Sequence, residues 1–312
     1  MMDLVFCGTP QFAVPTLQTL VNADFRVKLV VTQPDRASGR GLATAASPVK
    51  QAALYLGLPL LQPDKIKNNE EFRAELERLA PDAIIVVGYG RIIPQWMIDL
   101  PRYGNLNLHA SLLPKYRGAA PIQWAIARGE TVTGVTTMRI DAGLDTGDIL
   151  LQADEPIRPE DTALTLGPRL AHRGAELIIC TLAGLVNGTI TPRPQDHAQA
   201  TLAPILKKED GLIDFSRTAN ETWNRLRGFQ PWPGAFTKFR GKTLQVHAAS
   251  PAPEVALVKP GHFTVERGRL LLGCAHGSAL EVSELQIEGK KRMNAPDFIN
   301  GYRPSCDEPV GA

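Results

Sequence analysis

Short apolar runs that stop at glycine or proline and alternate with helical stretches constrain this chain more than any other feature of its sequence. Asp3–Cys7 (DLVFC) ends at Gly8-Thr9-Pro10, Val27–Thr32 (VKLVVT) ends at Gln33-Pro34-Asp35, and Asp82–Gly88 (DAIIVVG) has no polar position between its ends. A run of that last kind suits a strand buried on both faces of a parallel sheet. Gly104–His109 and Gly134–Ile140 extend the series. Between the runs, residues 11–21, 49–56, 69–79, 121–128 and 162–186 read as helices. The alternation predicts an open α/β sheet of parallel strands. Residues 36–48, rich in glycine and small side chains, read as an exposed, mobile loop.

The pattern changes after Ile190-Thr191-Pro192-Arg193-Pro194, which has the character of a linker. Gly211–Phe215, Ala235–Phe239, Thr243–Ala248, His262–Val265, Leu270–Gly273 and Ala279–Gln286 are short strand-like segments split by Gly and Pro turns, with one helix over Ala219–Gly228. Such spacing predicts a small β-barrel. A chain of 312 residues, 44% hydrophobic and 21% charged, has length for two domains and a core in each. The expected division is an open-sheet domain over residues 1–189, a linker over 190–206 and a barrel domain over 207–312.

A formal net charge of +2 excludes only a uniformly basic surface. Residues 1–200 carry 19 Lys and Arg against 20 Asp and Glu, whereas 201–312 carry 15 against 12, so the halves stand at −1 and +3. The later half also groups its cations, at Lys207-Lys208, Arg225 with Arg227, Lys238-Arg240-Lys242 and Lys290-Lys291-Arg292. Such runs fit either a solvated surface or a groove for an anionic polymer. Trp223, Phe229, Trp232, Phe236 and Phe239 lie among them, as packing or as stacking platforms for bases. The chain opens with neither a basic n-region nor a long apolar h-region, and no apolar run approaches the roughly 20 residues of a membrane span. A cytoplasmic protein is expected. Cys7, Cys180, Cys274 and Cys306 are too scattered for a zinc site or a dense disulfide framework, so free thiols and no metal are expected.

Chemistry concentrates in Asn105–Pro121, NLNLHASLLPKYRGAAP. A strand period of two turns Leu106 and Leu108 to one face, and Asn107 and His109 to the other, near the carboxyl edge where open α/β sheets bind ligands. An amide and an imidazole there can both donate to a carbonyl oxygen that gains charge. From this stretch alone, a hydrogen-bonded structural histidine is an equal reading. Gly143–Ile149 (GLDTGDI) follows the next strand and is expected at the same carboxyl edge. It offers Asp145 and Asp148 as carboxylate partners for the imidazole, with Asp141 closer to the strand, and turn-forming aspartate is the alternative for each. Spacing does not choose among them.

The segment HASLLPKYRGAAPIQWAI, with FCGTPQFA, TQPDRASGRG and its later SPVK, GLDTGDIL, and PWPGAF, resembles the bacterial methionyl-tRNA formyltransferase family, in family order over residues 6–236. That resemblance implies a Rossmann-like catalytic domain and an OB-like C-terminal barrel. It implies Asn107, His109 and Asp145 as the catalytic trio, and Ser111, Leu112, Leu113 and Pro114 as the segment binding 10-formyltetrahydrofolate. Arg40 falls in the inserted loop that meets the tRNA acceptor end, with Arg36, Lys207 and Lys208 as further tRNA contacts. The implied partners are aminoacylated initiator tRNA and the folate co-substrate, with no metal and no membrane, and a monomer is expected. The sequence departs from the family in the loop: Leu42-Ala43-Thr44-Ala45-Ala46 stand where relatives often carry lysines, leaving Arg36, Arg40 and Lys50 as its cations.

Gly8-Thr9-Pro10 lacks the second and third glycines of a dinucleotide fingerprint and reads as a tight strand-to-helix turn. Two other classes compete. A formyltransferase acting on an amino-sugar nucleotide would share NLH and SLLPKYRG, but the QPDR…GRG loop and GLDTGD favour the tRNA enzyme. A folate- or RNA-binding module without catalysis is disfavoured by the intact Asn107, His109 and Asp145.

Overall fold

A computed structural model of the chain describes residues 2–38, 43–252, 258–305 and 308–311. The chain runs β1 (Asp3–Gly8), α1 (Val14–Asn22), β2 (Arg26–Val31), β3 (Arg36–Ser38), β4 (Ala43–Ala45), α2 (Pro48–Tyr55), β5 (Leu60–Leu61) and α3 (Glu70–Leu79). It continues through β6 (Ala83–Val87), α4 (Gln95–Ile98), β7 (Asn105–His109), α5 (Pro121–Ala127), β8 (Val132–Arg139), β9 (Ile149–Pro156) and α6 (Ala163–Val186). Two compact units result. One comprises Met1–Pro121, Val132–Pro156 and Gly167–Ala203; the other takes Ile122–Thr131, Ile157–Leu166 and Pro204–Ala312.

The first unit is Rossmann-like. Its sheet has the order β5-β2-β1-β6-β7-β8-β9, parallel from β5 to β7. Every residue of β6 is buried, as its unbroken apolar run requires. Val5, Cys7, Leu29, Ile84 and Val86 pack with Phe72 and Leu76 of α3 into one core. Helix starts follow their local signals: Ser47 Oγ accepts from Lys50 N at 3.1 Å ahead of Pro48, and Asn69 Oδ1 accepts from Phe72 N at 3.0 Å. Gly8-Thr9-Pro10 leads from β1 into a short 3-10 turn and α1. Residues 36–38 and 43–45 form a small hairpin within the segment expected to be loop.

The expectation of parallel strands fails at β8. This strand runs antiparallel to both neighbours, with Leu106 opposite Arg139 and His109 opposite Thr136. A parallel neighbour needs a crossover packed on the sheet, but most of α5, the helix between β7 and β8, belongs to the second unit. Nor does the sequence reading foresee β9. It is the sheet's last strand, and its Gln152-Ala153-Asp154-Glu155, half-buried except for the exposed Asp154, carries little of the apolar signal of an inner strand.

The second unit adds α7 (Ala219–Gly228), β10 (Ala235–Phe239), β11 (Lys242–Pro251), β12 (His262–Glu266), β13 (Arg269–Gly273), β14 (Ala279–Ile287), β15 (Met293–Asn294), α8 (Ala295–Tyr302) and β16 (Glu308–Pro309). Its strands pair antiparallel in the order β10-β11-β14-β13-β12-β16, with β15 on β14. Gly311 N donates to Lys238 O of β10 at 2.8 Å, which brings the two ends of the sheet together as a nearly closed barrel. Phe239, Phe263 and Phe298 meet in its interior with ring centroids 5.3–5.8 Å apart.

Gly211–Phe215, expected to be a strand, begins at the end of a 3-10 turn and makes one bridge, Leu212 to Phe236. Helix α8, capped by Asn294 with Pro296 in its first turn, carries Phe298 into the core and was not expected. Among the aromatic residues of this half, Phe229 and Phe239 are buried and Trp223 packs on the core, whereas Trp232 is exposed. Cys7, Cys180 and Cys274 are free, and burial pushes the Cys274 thiol up to about 11. Among the described residues no helix is long and apolar enough to cross a membrane.

Phe298→Ala is expected to destabilise the protein by about 3–5 kcal/mol, the range for removing a fully buried aromatic ring. Denaturant unfolding followed by circular dichroism measures it.

Candidate active site

Strand β7 separates its side chains as alternation dictates. Asn105, Asn107 and His109 share a face, and Asn105 is used structurally, donating from Nδ2 to Met97 O at 2.7 Å and Ile98 O at 3.2 Å. Asn107 is half-buried, and among the described residues no group takes its amide. Its donors are therefore available to a ligand.

His109 is 6% exposed, and its Nε2 lies 2.9 Å from the carbonyl oxygen of Tyr116. A carbonyl only accepts, so Nε2 carries a proton and Nδ1 is the nitrogen through which the ring gains or loses one. Asp145 Oδ2 stands 3.7 Å from Nδ1 and accepts from Gly118 N at 2.8 Å. Tyr116 and Gly118, two residues apart, thus hold the imidazole and the carboxylate respectively. Neither stands out in the sequence, although both lie in the KYRG that follows SLLP.

Asp145 reaches this place by a route other than the expected one. Because β8 is reversed, its end lies beside the beginning of β7, where Ile140 N donates to Asn105 O at 2.9 Å. The following loop then doubles back: Arg139 N donates to Asp148 O at 3.0 Å, and Asp145 adopts a left-handed backbone with φ 52°. Of the three acids, Asp141 accepts from Gly143 N and Thr146 Oγ1 and so forms the turn, while Asp145 alone brings its carboxylate to His109.

Ser111 to Pro114 form a ledge whose polar groups are satisfied internally. Ser111 Oγ donates to Lys115 O at 2.6 Å, Thr136 Oγ1 donates to Ser111 O and accepts from Leu113 N, and Gln152 Nε2 donates to Leu113 O at 2.9 Å. Leu112 and Pro114 stay half-buried and offer apolar surface. Gly134 of β8 admits this arrangement, since a Cβ there would lie 2.6 Å from Leu112 Cδ2 and 2.2 Å from Ala153 O.

The described residues among the expected tRNA contacts are divided between the two units. Arg40 lies outside the described residues; Arg36 begins the β3–β4 hairpin; Lys207 and Lys208 are exposed in the second unit. Lys50 is not a free cation, because its Nζ pairs with Asp35 at 2.5 Å. With Gln62 Nε2 donating to the same carboxylate, that pair holds the Asp35 carboxyl below the usual carboxylate range. No group of three or more metal-ligating side chains occurs among the described residues.

The formyl transferase family model matches residues 2–182, and that of the formyl transferase C-terminal domain matches 205–303. The chain is 67% identical over 310 residues to the methionyl-tRNA formyltransferase of Koribacter versatilis, covering 99% of each, and 63% identical over 311 residues to that of Acidobacterium capsulatum, covering 100% of each. Among solved structures, WlaRD, a sugar 3N-formyl transferase, superposes with a TM-score of 0.67 at 20% identity over 93% of this chain and 99% of that one. HypX from Aquifex aeolicus in complex with tetrahydrofolic acid gives a TM-score of 0.62 at 19% identity over 97% of this chain and 47% of that one. At such identities the two structures establish likeness of fold.

The return of the acidic loop depends on Gly147, where a Cβ would lie 1.9 Å from Arg139 O. Gly147→Ala is expected to cost about 1–3 kcal/mol of stability, as overpacking does, and to move Asp145 away from His109. Thermal melting reads the first effect and the His109 ring resonances in NMR read the second.

Proposed function

The chain belongs to the formyl transferase family, and we propose that it transfers the formyl group of 10-formyltetrahydrofolate to the α-amino nitrogen of methionyl-initiator-tRNA, at a site formed by Asn107, His109 and Asp145. End-to-end identity of 63–67% with relatives named for that activity carries the choice of substrate, against 20% for a sugar formyl transferase of like fold. The product is N-formylmethionyl-tRNA, which serves translation initiation.

The co-substrate supplies an electrophilic formyl carbon and a leaving nitrogen. Asn107, with its amide donors free beside the carboxyl edge of β7, donates to the formyl oxygen as negative charge builds there. His109 is anchored through Nε2 to Tyr116 O, so Nδ1 is the atom that carries a proton to or from the reacting groups. Protonated at Nδ1, the ring also donates to the developing oxyanion. Asp145 lies against that nitrogen and steadies the ring's positive charge. Over the reaction one proton passes from the attacking amine to the nitrogen that leaves, and His109 with Asp145 mediates the exchange.

The co-substrate fits the ledge beside this trio. Leu112 and Pro114 present apolar surface to a flat ring, while Ser111 and Leu113 hold the ledge in shape through Lys115, Thr136 and Gln152. Arg36 and Arg40, with Lys207 and Lys208, contact tRNA phosphates. Residues 1–189 form the catalytic domain, 190–206 the connection and 207–312 the OB-like tRNA-binding domain. The enzyme works as a cytoplasmic monomer without a metal.

Formyl transfer measured with 10-formyltetrahydrofolate and methionyl-initiator-tRNA tests this reading, with an amino-sugar nucleotide as the competing acceptor; transfer to the sugar alone would overturn it. Asn107→Ala and His109→Ala are each expected to lower kcat by about 10²–10³, the range for an oxyanion donor. Asp145→Asn should keep the bond from Gly118 N and the melting temperature while losing most activity in single-turnover assays. Arg40→Leu should weaken tRNA binding and flatten its log–log salt dependence by about 0.7–0.9 for one lost phosphate contact, read by filter binding across a salt series.

A further inference from the structure

We infer that Gln195 is a positioning residue for the His109–Asp145 pair, an inference that rests on the catalytic reading above. Gln195 lies between α6 and α7, in the stretch expected to be a linker, yet it is only 6% exposed. Its carboxamide is fully engaged. Nε2 donates to Asp145 O at 2.9 Å and to Gly147 O at 2.7 Å, while Oε1 accepts from Arg117 Nε at 3.1 Å and Arg117 NH2 at 2.6 Å. The orientation is forced, since a flipped amide would set oxygen against two carbonyls and NH2 against a guanidinium.

These partners belong to the two loops that make the site. Asp145 and Gly147 are in the acidic loop. Arg117 sits between Tyr116, whose carbonyl accepts from His109, and Gly118, whose N–H donates to Asp145. The same stretch braces both loops through its backbone: Arg193 and Ile149 exchange N–H···O bonds of 2.8 and 2.9 Å, Arg117 N donates to Thr201 O, and Ala203 N donates to Arg117 O. Thr201 Oγ1 accepts from Tyr116 N at 2.9 Å. At 3.7 Å, His109 Nδ1 and Asp145 Oδ2 are too far apart to hold each other by a direct hydrogen bond. Their spacing is set by the loops behind them, and beside the bond from Gly118 N to Asp145, Gln195 is a second side-chain tie from one loop to the other.

Arg117 supplies the discriminating variant. It is 7% exposed, and its side-chain hydrogen bonds go to the neutral Gln195 and His197 Nδ1. Gln195→Glu keeps an acceptor for this guanidinium, and strengthens it, but removes the donor to the acidic loop. If Gln195 serves only to satisfy Arg117, the Glu variant retains activity; if it positions Asp145, the Glu variant fails as Gln195→Ala does.

The test compares the full-length wild type, Gln195→Ala and Gln195→Glu. Both variants are expected to lose about 10- to 100-fold in kcat, in keeping with an ångström-scale misplacement, while KM for methionyl-tRNA and for 10-formyltetrahydrofolate stays within about threefold. Amide hydrogen exchange in the free enzyme supplies a readout that needs no substrate: the Gly118 amide should exchange at least about tenfold faster in both variants, with the amides of β1 and β6 unchanged. Wild-type kcat in either variant, or unchanged Gly118 protection in Gln195→Glu, would overturn the inference. Should Gln195→Ala fail to fold, Gln195→Glu decides alone. A wild-type enzyme inactive on methionyl-tRNA would overturn the functional reading instead, and the exchange measurement would still report on Gln195.

Discussion

The hydrogen bond between His109 Nε2 and the Tyr116 carbonyl governs the site, because an acceptor that cannot donate dictates which nitrogen bears the fixed proton. Once Nε2 is committed, Nδ1 is left facing Asp145, and the surroundings keep Tyr116 O on one side of the ring and Asp145 on the other. Tyr116 adopts φ 62° and is held through its N–H by Thr201; Asp145 adopts φ 52° and is held by Gly118. Left-handed backbone at residues with side chains is costly and persists where neighbours determine it. Here those neighbours are one another's loops and the stretch that follows α6.

Reversal of β8 has consequences beyond topology. In a wholly parallel sheet the loop after the next strand would emerge at the carboxyl edge beside His109. In this sheet it emerges at the far end of β7 and must fold back, through a turn closed by Asp141 and a contact at Gly147 that leaves no room for a Cβ. The reversal also presents Thr136 of β8 to the ledge at Ser111–Pro114, opposite His109 across the strand pair. One strand direction thus shapes both the carboxylate's approach and the surface beside it.

Charge is managed locally and not by the total. Lys50, one of the three cations the sequence offers around this loop, is bound to Asp35 and so is not free to meet an anionic partner. In the barrel half, Arg225 and Arg227 belong to the packing: Arg225 donates to Asp210 O and lies over Phe229, and Arg227 is buried against Asp161 O and Asn224. A net charge of +2 conceals these differences, and so does a count of basic runs.

The sequence by itself determined the α/β sheet, because apolar runs such as Asp82–Gly88 fit little besides a strand covered on both faces, and alternation in Asn105–His109 assigned Asn107 and His109 to one side. It determined the helix over Ala219–Gly228 and the barrel that follows, since strand and cap signals are local. Resemblance of motifs supplied the choice of Asp145 over Asp141 and Asp148, which spacing left open. Tertiary structure decided what depends on residues distant in the chain: the direction of β8, the strand at 149–156, the tautomer of His109 and the engagement of Lys50. Gln195 shows why. Nothing around it in Arg193-Pro194-Gln195-Asp196 marks a buried amide, and its role exists only through partners 48 to 78 residues away.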